Sequence, residues 1–285
     1  MLPPGLSIGP MSRDDVAVLA GWAADEGWNP GNADIGIAWD IDPGAFIALH
    51  RDGDLVGGGT IFRHSPTFGF MGLFIVKAGL RRAGLGAPLW HHRLDLLQTR
   101  LAPGATIGMD GVFDMVPFYT RGGFTLAYRD LRFQGVAHGV PDKAVRPLTE
   151  ADFPAIEAVD RQHFPTPRGT FLRRWVFQPG AHALGLFDSG TLLGFGVARP
   201  ARQGFKLGPV YAMSPDNAES LVSSLMAPIT GQQVQLDVPE PNDAGLRLAQ
   251  SFGLSEVFGC ARMYHGPTPD LPVRQIFGVT SFEFG

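Results

Sequence analysis

The sequence predicts a mixed α/β protein, α+β in the way its elements segregate, made of two tandem copies of one fold. Each copy reads as a mixed central sheet flanked by helices. Three observations carry this. The chain has 285 residues, about twice a common domain length of ~150. Forty-five per cent of them are apolar and 18% charged, the balance of an ordinary folded globule. Most tellingly, the chain repeats itself at an offset of 137 residues.

The repeat begins with Pro10-Met11-Ser12-Arg13-Asp14-Asp15-Val16, echoed by Pro147-Leu148-Thr149-Glu150-Ala151-Asp152-Phe153. Each is a helix start: a Ser or Thr cap, an acid three residues on, then an apolar stripe. The stripes are Val16, Leu19, Ala20 and Ala23 in the first copy and Phe153, Ile156 and Val159 in the second. Next comes a hairpin turning at Asp52-Gly53. Its Gly53, Leu55, Val56, Gly57 and Gly59 fall on Gly190, Leu192, Leu193, Gly194 and Gly196. Near each half's end a short helix closes on glycine, Phe118-Tyr119-Thr120-Arg121-Gly122-Gly123-Phe124 and Leu248-Ala249-Gln250-Ser251-Phe252-Gly253-Leu254. The offset there is 130, so the second copy has lost sequence in between. The copies are expected to join near Gly135 to Val145, giving domains at 1–137 and 143–285. Helix, hairpin, apolar strand, helix, strand and helix follow one another in each, an order that needs at least one parallel crossover.

The chemistry concentrates after Phe70-Met71-Gly72-Leu73-Phe74-Ile75-Val76, an apolar run suited to a buried central strand. It leads through Lys77-Ala78-Gly79-Leu80-Arg81-Arg82-Ala83-Gly84-Leu85-Gly86-Ala87-Pro88 into a helix with Trp90, Leu94, Leu97 and Leu101 on one face. Pro88 suits a first turn, where its missing N–H is not needed. A basic, glycine-bearing loop at a helix N-terminus is an anion site, because unpaired N–H groups and the positive dipole end face it. Gly84 and Gly86 let phosphate oxygens approach the backbone, while Arg81 and Arg82 add charge-assisted bonds. A nucleotide P-loop is excluded, since no G-K-[ST] follows. The dinucleotide fingerprint fails too, because Leu89 stands where a third glycine belongs.

Arg81-x-x-Gly84-x-Gly86 after a strand, with a helix behind it and Phe118-Tyr119 before Gly122-Gly123-Phe124, resembles the pyrophosphate segment and closing tyrosine helix of the GNAT acetyltransferase superfamily. Nearly the whole chain is similar to the YitH-type tandem GNAT proteins. The matching stretches are Glu26-Gly27-Trp28-Asn29-Pro30-Gly31, Gly72-Leu73-Phe74-Ile75-Val76, Leu207-Gly208-Pro209, Leu236-Asp237-Val238-Pro239, Arg262-Met263-Tyr264 and Phe277-Gly278-Val279-Thr280-Ser281-Phe282-Glu283.

The resemblance implies two tandem GNAT-like folds and an N-acyltransferase using acetyl-CoA, or another acyl-CoA, as cosubstrate. Arg81, Arg82, Ala83, Gly84, Leu85, Gly86 and Ala87 would hold the pyrophosphate, and Phe74, Ile75 and Val76 would offer backbone groups to the pantetheine arm. Tyr119 would protonate the departing thiolate. Glu26, Trp28, Asn29 and Asp34 fall in the loop where the superfamily gathers its acceptor. Asp110, at a strand end beside the acyl centre, is the first choice for a base. Carrying the offset of 137 forward sets Ala218 to Ser223 opposite Arg81 to Gly86, with no glycine or arginine left, and the later offset of 130 sets Ala249 opposite Tyr119. The second copy is therefore expected to be degenerate, without a CoA loop.

Composition narrows the partners. A net charge of −4 offers no general attraction to nucleic acid or acidic membrane. The single cysteine, Cys260, suits a reducing compartment and reads as a core residue. Met1 to Pro10 lacks the basic and apolar regions of a signal peptide, and the run near Phe68 to Val76 is far short of the roughly 20 residues of a membrane span. A cytoplasmic protein with no membrane or nucleic-acid partner is expected. His91 and His92 are adjacent on a helix and face different ways, and no spacing suggests zinc, so no metal is expected. The acceptor is expected to be a small-molecule or peptide amine. Two rivals remain: a CoA-binding sensor or scaffold without turnover, and a tandem-GNAT peptidyl or aminoacyl transferase.

Overall fold

The computed structural model describes residues 4–285, so the first three residues of the stretch weighed above as a signal peptide lie outside it. The first half runs β1 (Leu6–Pro10), α1 (Arg13–Asp25), α2 (Asp34–Ile41), β2 (Phe46–Arg51), β3 (Asp54–Ser65), β4 (Phe68–Val76), α3 (Gly86–Thr99), β5 (Thr106–Val112), α4 (Val116–Arg121) and β6 (Thr125–Val136). The second half repeats the order: β7 (Val145–Pro147), α5 (Phe153–His163), α6 (Gly169–Val176), β8 (His182–Asp188), β9 (Thr191–Pro200), β10 (Phe205–Ala212), α7 (Pro215–Met226), β11 (Gln233–Pro239), α8 (Asp243–Ser251) and β12 (Ser255–His265). A short β13 (Ile276–Gly278) follows.

Local chemistry explains the punctuation. Ser12 and Asp15 form a reciprocal capping box, with backbone-to-side-chain hydrogen bonds of 2.9 and 3.1 Å. The Thr149 N–H donates to Asp152 at 2.8 Å, and a single 3-10 turn (Glu150–Asp152) intervenes before α5. Asp52 and Gly53 both take left-handed φ values, +53° and +93°, as a two-residue hairpin turn requires.

The strands form one sheet in the order β1-β2-β3-β4-β5-β12-β6-β11-β10-β9-β8-β7. The halves exchange their last strands. β12 runs antiparallel to β5, from Cys260 opposite Val112 to His265 opposite Ile107, while β6 runs antiparallel to β11, from Val136 opposite Gln233 to Asp130 opposite Pro239. β6 and β12 pair with each other at the centre. The connection between the halves therefore starts after Val136, and Gly135 belongs to a strand. Apolar packing also crosses over: Phe171 and Trp175 of α6 join Val16, Leu19, Phe46, Phe62 and Ile75 in one buried cluster.

The two halves differ at the step from the fourth strand to the next helix. Residues 77–85 connect β4 to α3, whereas Met213 and Ser214 alone connect β10 to α7. Nine residues against two is a difference of seven, the same seven by which the repeat offset falls from 137 to 130. This corrects the sequence alignment: Ala218 to Ser223 do not face Arg81 to Gly86 but lie inside α7, with Ala218, Leu221 and Val222 buried in the core. The second half has no counterpart of the basic loop at this step.

Candidate active site

A cleft opens where β4 and β5 part. These parallel strands pair from Phe68–Thr106 to Met71–Met109 and no further. Beyond Met71 the β5-facing edge of β4 has no strand partner, which leaves backbone groups available there. β4 also bulges against β3: the step from Gly58 to Thr60 faces the longer step from Ile75 to Gly72, and Leu73 sits at φ +50°. Arg93, fully buried on α3, holds the bulge by donating from Nη2 to the carbonyls of Gly72 (2.7 Å) and Thr60 (2.5 Å). Burial lowers this guanidinium to about 9. Gly59 makes the contact possible, since a Cβ there would lie 2.5 Å from the guanidinium carbon.

The second half has the same divergence, because β10 and β11 pair in parallel only from Phe205 to Leu207. There the gap is filled. β13 pairs with β10 at Val210 and Tyr211, and the Val279 N–H donates to the Asp237 carbonyl of β11 at 2.9 Å. A Cβ on Gly208 would lie 2.2 Å from the Val279 oxygen, so the plug leaves no slot.

The first-half cleft holds about 520 Å3 of empty space, part of it open to solvent. β4 contributes Met71, Gly72, Leu73 and Phe74; β5 contributes Met109, Asp110 and Val112. Tyr119 comes from α4, Phe258 and Cys260 from the exchanged β12, Trp28 from the loop after α1, and Phe282 and Glu283 from the C-terminal tail. The sequence reading thus brings Tyr119, Asp110, Phe74 and Trp28 to one site. Tyr119 is 4% exposed, and burial pushes its hydroxyl up to about 12, opposed by nearby Arg93. Gly111 gives its ring room, as a Cβ there would lie 2.4 Å from a ring carbon. Cys260 is a buried thiol pushed well up by burial, a core residue and not a nucleophile.

Asp110 is not a free carboxylate. Arg262 of β12 grips both its oxygens, at 2.6 and 2.7 Å, and also approaches Asp130 at 3.5 Å. Burial raises the Asp110 carboxyl while Arg262 opposes it. Asp130, buried with no hydrogen-bond partner for either oxygen, is raised well above the usual range by burial. Asp110, with two donors, is the stronger holder of the negative charge, and Asp130 the proton.

The basic loop joins β4, one wall of the cleft, to the start of α3. Arg82 and Gly84 take left-handed φ values of +66° and +78°, and nothing lies within 4 Å of a Cβ built on Gly84. Arg81, Arg82, Ala83 and Gly84 are exposed, Gly86 and Ala87 half-buried, and Leu85 anchors the loop in the core. No side chain caps α3, whereas Ser214 caps α7 in the other half by accepting from the Asn217 N–H at 3.2 Å. The Arg81 Nε donates to the Val76 carbonyl at 3.0 Å, and its Nη2 pairs with Glu26. Ile75 packs into the core beneath.

Three of the four proposed acceptor residues, Asp34, Asn29 and Glu26, do not line the cleft. Asp34, fully buried, receives Arg199 at 3.0 and 3.2 Å and the Gly31 N–H at 3.0 Å. Asn29 donates to the Gln203 carbonyl (3.0 Å) and Gln235 (3.1 Å) and accepts from the Gln203 N–H (2.9 Å). Both staple the loop to the second half, and Trp28 is thereby held against the cleft, its carbonyl accepting from Arg132 at 2.7 Å. Glu26 points to Arg81 instead.

Residues that sequence reasoning missed are Arg93, Phe258, Phe282 and Glu283. Arg93 was signalled by a charge on an apolar helix face, four residues from both Leu89 and Leu97. Glu283 ends a stretch noted only as family-like.

Comparison with known proteins agrees with this architecture. Residues 156–278 match the acetyltransferase (GNAT) domain family, so the match falls on the half without the basic loop. The chain is 24% identical over 280 residues to a holothin acyltransferase of Pseudoalteromonas sp. (strain SANK 73390), covering 97% of this chain and 93% of that one. It is 25% identical over 174 residues to YitH, an uncharacterised N-acetyltransferase of Bacillus subtilis (strain 168), covering 59% and 60%. A crystal structure of a putative acetyltransferase from Pyrococcus horikoshii superposes with a TM-score of 0.84 at 22% identity, over 100% of this chain and 98% of that one. The fold is present twice, the basic loop and the open strand gap once; residues 156–278 match the GNAT acetyltransferase domain family, and the chain as a whole is similar to acyltransferases of that family.

Proposed function

We propose that this protein transfers an acyl group, acetyl or longer, from coenzyme A to an amine of a small molecule or peptide by direct attack. Acyl-CoA would bind once per chain, in the half formed by residues 1–137, while residues 143–285 carry a degenerate copy that completes the acceptor side. The observation behind this is the asymmetry of the halves. One has an open strand gap leading to an uncapped helix start and a basic loop; the other has a plugged gap, a Ser214 cap and no loop.

The residues present suit the ligand. The first turn of α3 and the loop through Gly84 offer N–H groups to a pyrophosphate, with the helix dipole adding to the attraction. Arg81 would exchange Glu26 for phosphate, and Arg82 would add charge. The free edge of β4 at Phe74, Ile75 and Val76 would pair with the amide-bearing arm. N–H groups on that edge would stabilise the developing oxyanion. Tyr119 would give its proton to the leaving sulfur; a hydroxyl raised to about 12 stays protonated at neutral pH, as a donor must. Asp110, engaged by Arg262, would fix the charge of the cleft floor more readily than accept a proton directly.

Calorimetric titration with acetyl-CoA, followed by thiol-release assays over an amine panel, tests the reading. One site per chain and thiol release with an amine are expected. Two equivalent sites or no binding would overturn it, and binding without release on any amine would favour a sensor.

A further inference from the structure

The C-terminal tail does more than plug the second half. After Val279 it crosses to the first half, where a Cβ on Gly72 would lie 2.0 Å from the Glu283 carbonyl oxygen. Its course is pinned throughout. Ser281 Oγ accepts from the Glu283 and Phe284 N–H groups at 3.2 and 3.0 Å, His64 contacts the Phe284 carbonyl at 2.8 Å, and Thr280 accepts from Arg168 at 2.8 Å. The tail therefore presents Phe282 and Glu283 to the cleft as a rigid wall.

Glu283 is 2% exposed, yet its Oε2 has no hydrogen-bond partner among the described residues. Its Oε1 faces the Lys206 ammonium at 3.9 Å, itself 3.8 Å from Asp237. The other carboxylate on the cleft wall is spent: Arg262 holds both oxygens of Asp110. Behind the wall, Asp237 is likewise held at both oxygens by Arg132, at 2.7 and 2.8 Å. A buried carboxylate oxygen without a donor is costly to maintain, and its natural complement is an N–H or ammonium brought by a ligand. Around it the walls are rings and thioethers: Trp28, Phe74, Phe258, Phe282, Met71 and Met109. Phe282 and Phe258 are backed by the Arg132 guanidinium, 4.8 and 5.7 Å from their ring centres.

We propose that the acceptor is a single amine carried on a compact apolar or aromatic body, and that Glu283 Oε2 receives its nitrogen and takes its proton during transfer. This rests on the acyl-transfer reading above and names its substrate class and base. A polyamine would need further free carboxylates, and the cleft wall has none among the described residues. As the nitrogen–carbon bond forms and the carbon–sulfur bond breaks, Glu283 gains the nitrogen's proton and Tyr119 gives its own to sulfur. Transfer of that proton from Glu283 to the Tyr119 oxygen then restores both groups, and nothing is oxidised or reduced.

The test uses the full chain with acetyl-CoA and hexanoyl-CoA against phenethylamine, tyramine and tryptamine, with spermidine and a glycine-terminated peptide as contrasts. The wild type should favour the aryl amines. Glu283→Gln should lower kcat by roughly 10²–10⁴, with CoA affinity and melting temperature close to wild type. The acid limb of the pH–rate profile should disappear with it, and Glu283→Asp should recover part of the rate. A purely structural glutamate would move the melting temperature and leave the pH profile alone. If the wild type acylates these amines and Glu283→Gln keeps its rate within about threefold, or if spermidine is the preferred acceptor, the proposal falls while acyl transfer stands. If the wild type binds CoA but acylates no amine, both fall together.

Discussion

Replacing Gly84 separates the loop's role in ligand binding from any role in folding. The residue sits at φ +78° with no atom within 4 Å of a built Cβ, so a side chain would collide with nothing in the protein. The cost of Gly84→Ala to the fold is then the left-handed conformation alone, about 1–2 kcal/mol. For a chain of this size that is a fall in Tm of roughly 2–8 °C. The cost to CoA is different in kind, because the new methyl group occupies the face through which phosphate oxygens would reach the backbone. Losing one or two hydrogen bonds to a charged group, about 1.5–3 kcal/mol each, weakens binding by about tenfold to roughly 10⁴-fold. Gly84→Val should be worse on both counts, since a β-branched residue tolerates positive φ poorly. Differential scanning calorimetry and CoA titration on the two variants give both numbers. A variant that binds CoA like the wild type would refute the loop assignment, and one that fails to fold would refute the claim that the loop is open.

Tyr119→Phe should leave CoA affinity nearly unchanged and slow thiol release by roughly 10²–10⁴; a wild-type rate would move the proton to another group. Asp130→Asn tests the buried carboxyl. Its folded pKa is raised, so the native state holds a proton that the unfolded chain gives up above about pH 4. Wild-type stability therefore drops by up to about 1.4 kcal/mol for each pH unit between there and the folded pKa. The Asn variant lacks this loss, and its melting temperature should gain on the wild type as pH rises from 5 to 8. A constant difference across that range would mean Asp130 is ionised.

Several features of this protein are local, and these were legible in the amino-acid order. The capping acids Asp15 and Asp152, the Asp52-Gly53 turn and the glycines closing α4 and α8 act within a few residues of themselves, so short-range chemistry announces them. The basic loop after β4 is also local, because an anion site at a helix start needs only a strand, glycines, arginines and the helix. The acceptor residues were not legible on the same terms. Asn29 and Asp34 sit beside Trp28 in sequence, but their partners Gln203, Gln235 and Arg199 lie far away and turn them into staples.

Sequence by itself determined that the fold occurs twice and that one copy carries the chemistry-bearing loop, since repeats and glycine spacing survive without knowledge of contacts. Tertiary structure alone decided how the copies share their parts. Pairing of β12 with β5 and of β6 with β11 satisfies the same backbone groups as pairing within each half would, so period-two patterning cannot distinguish them. The same is true of the tail: nothing in residues 276–283 says that it plugs one strand gap and walls the other. That follows from where Gly208 and Gly72, lacking side chains, let a backbone come close. Asp110 and Glu283 are both buried carboxylates, but Arg262 holds both oxygens of the first, whereas the second meets only Lys206 at Oε1 and keeps Oε2 without a donor.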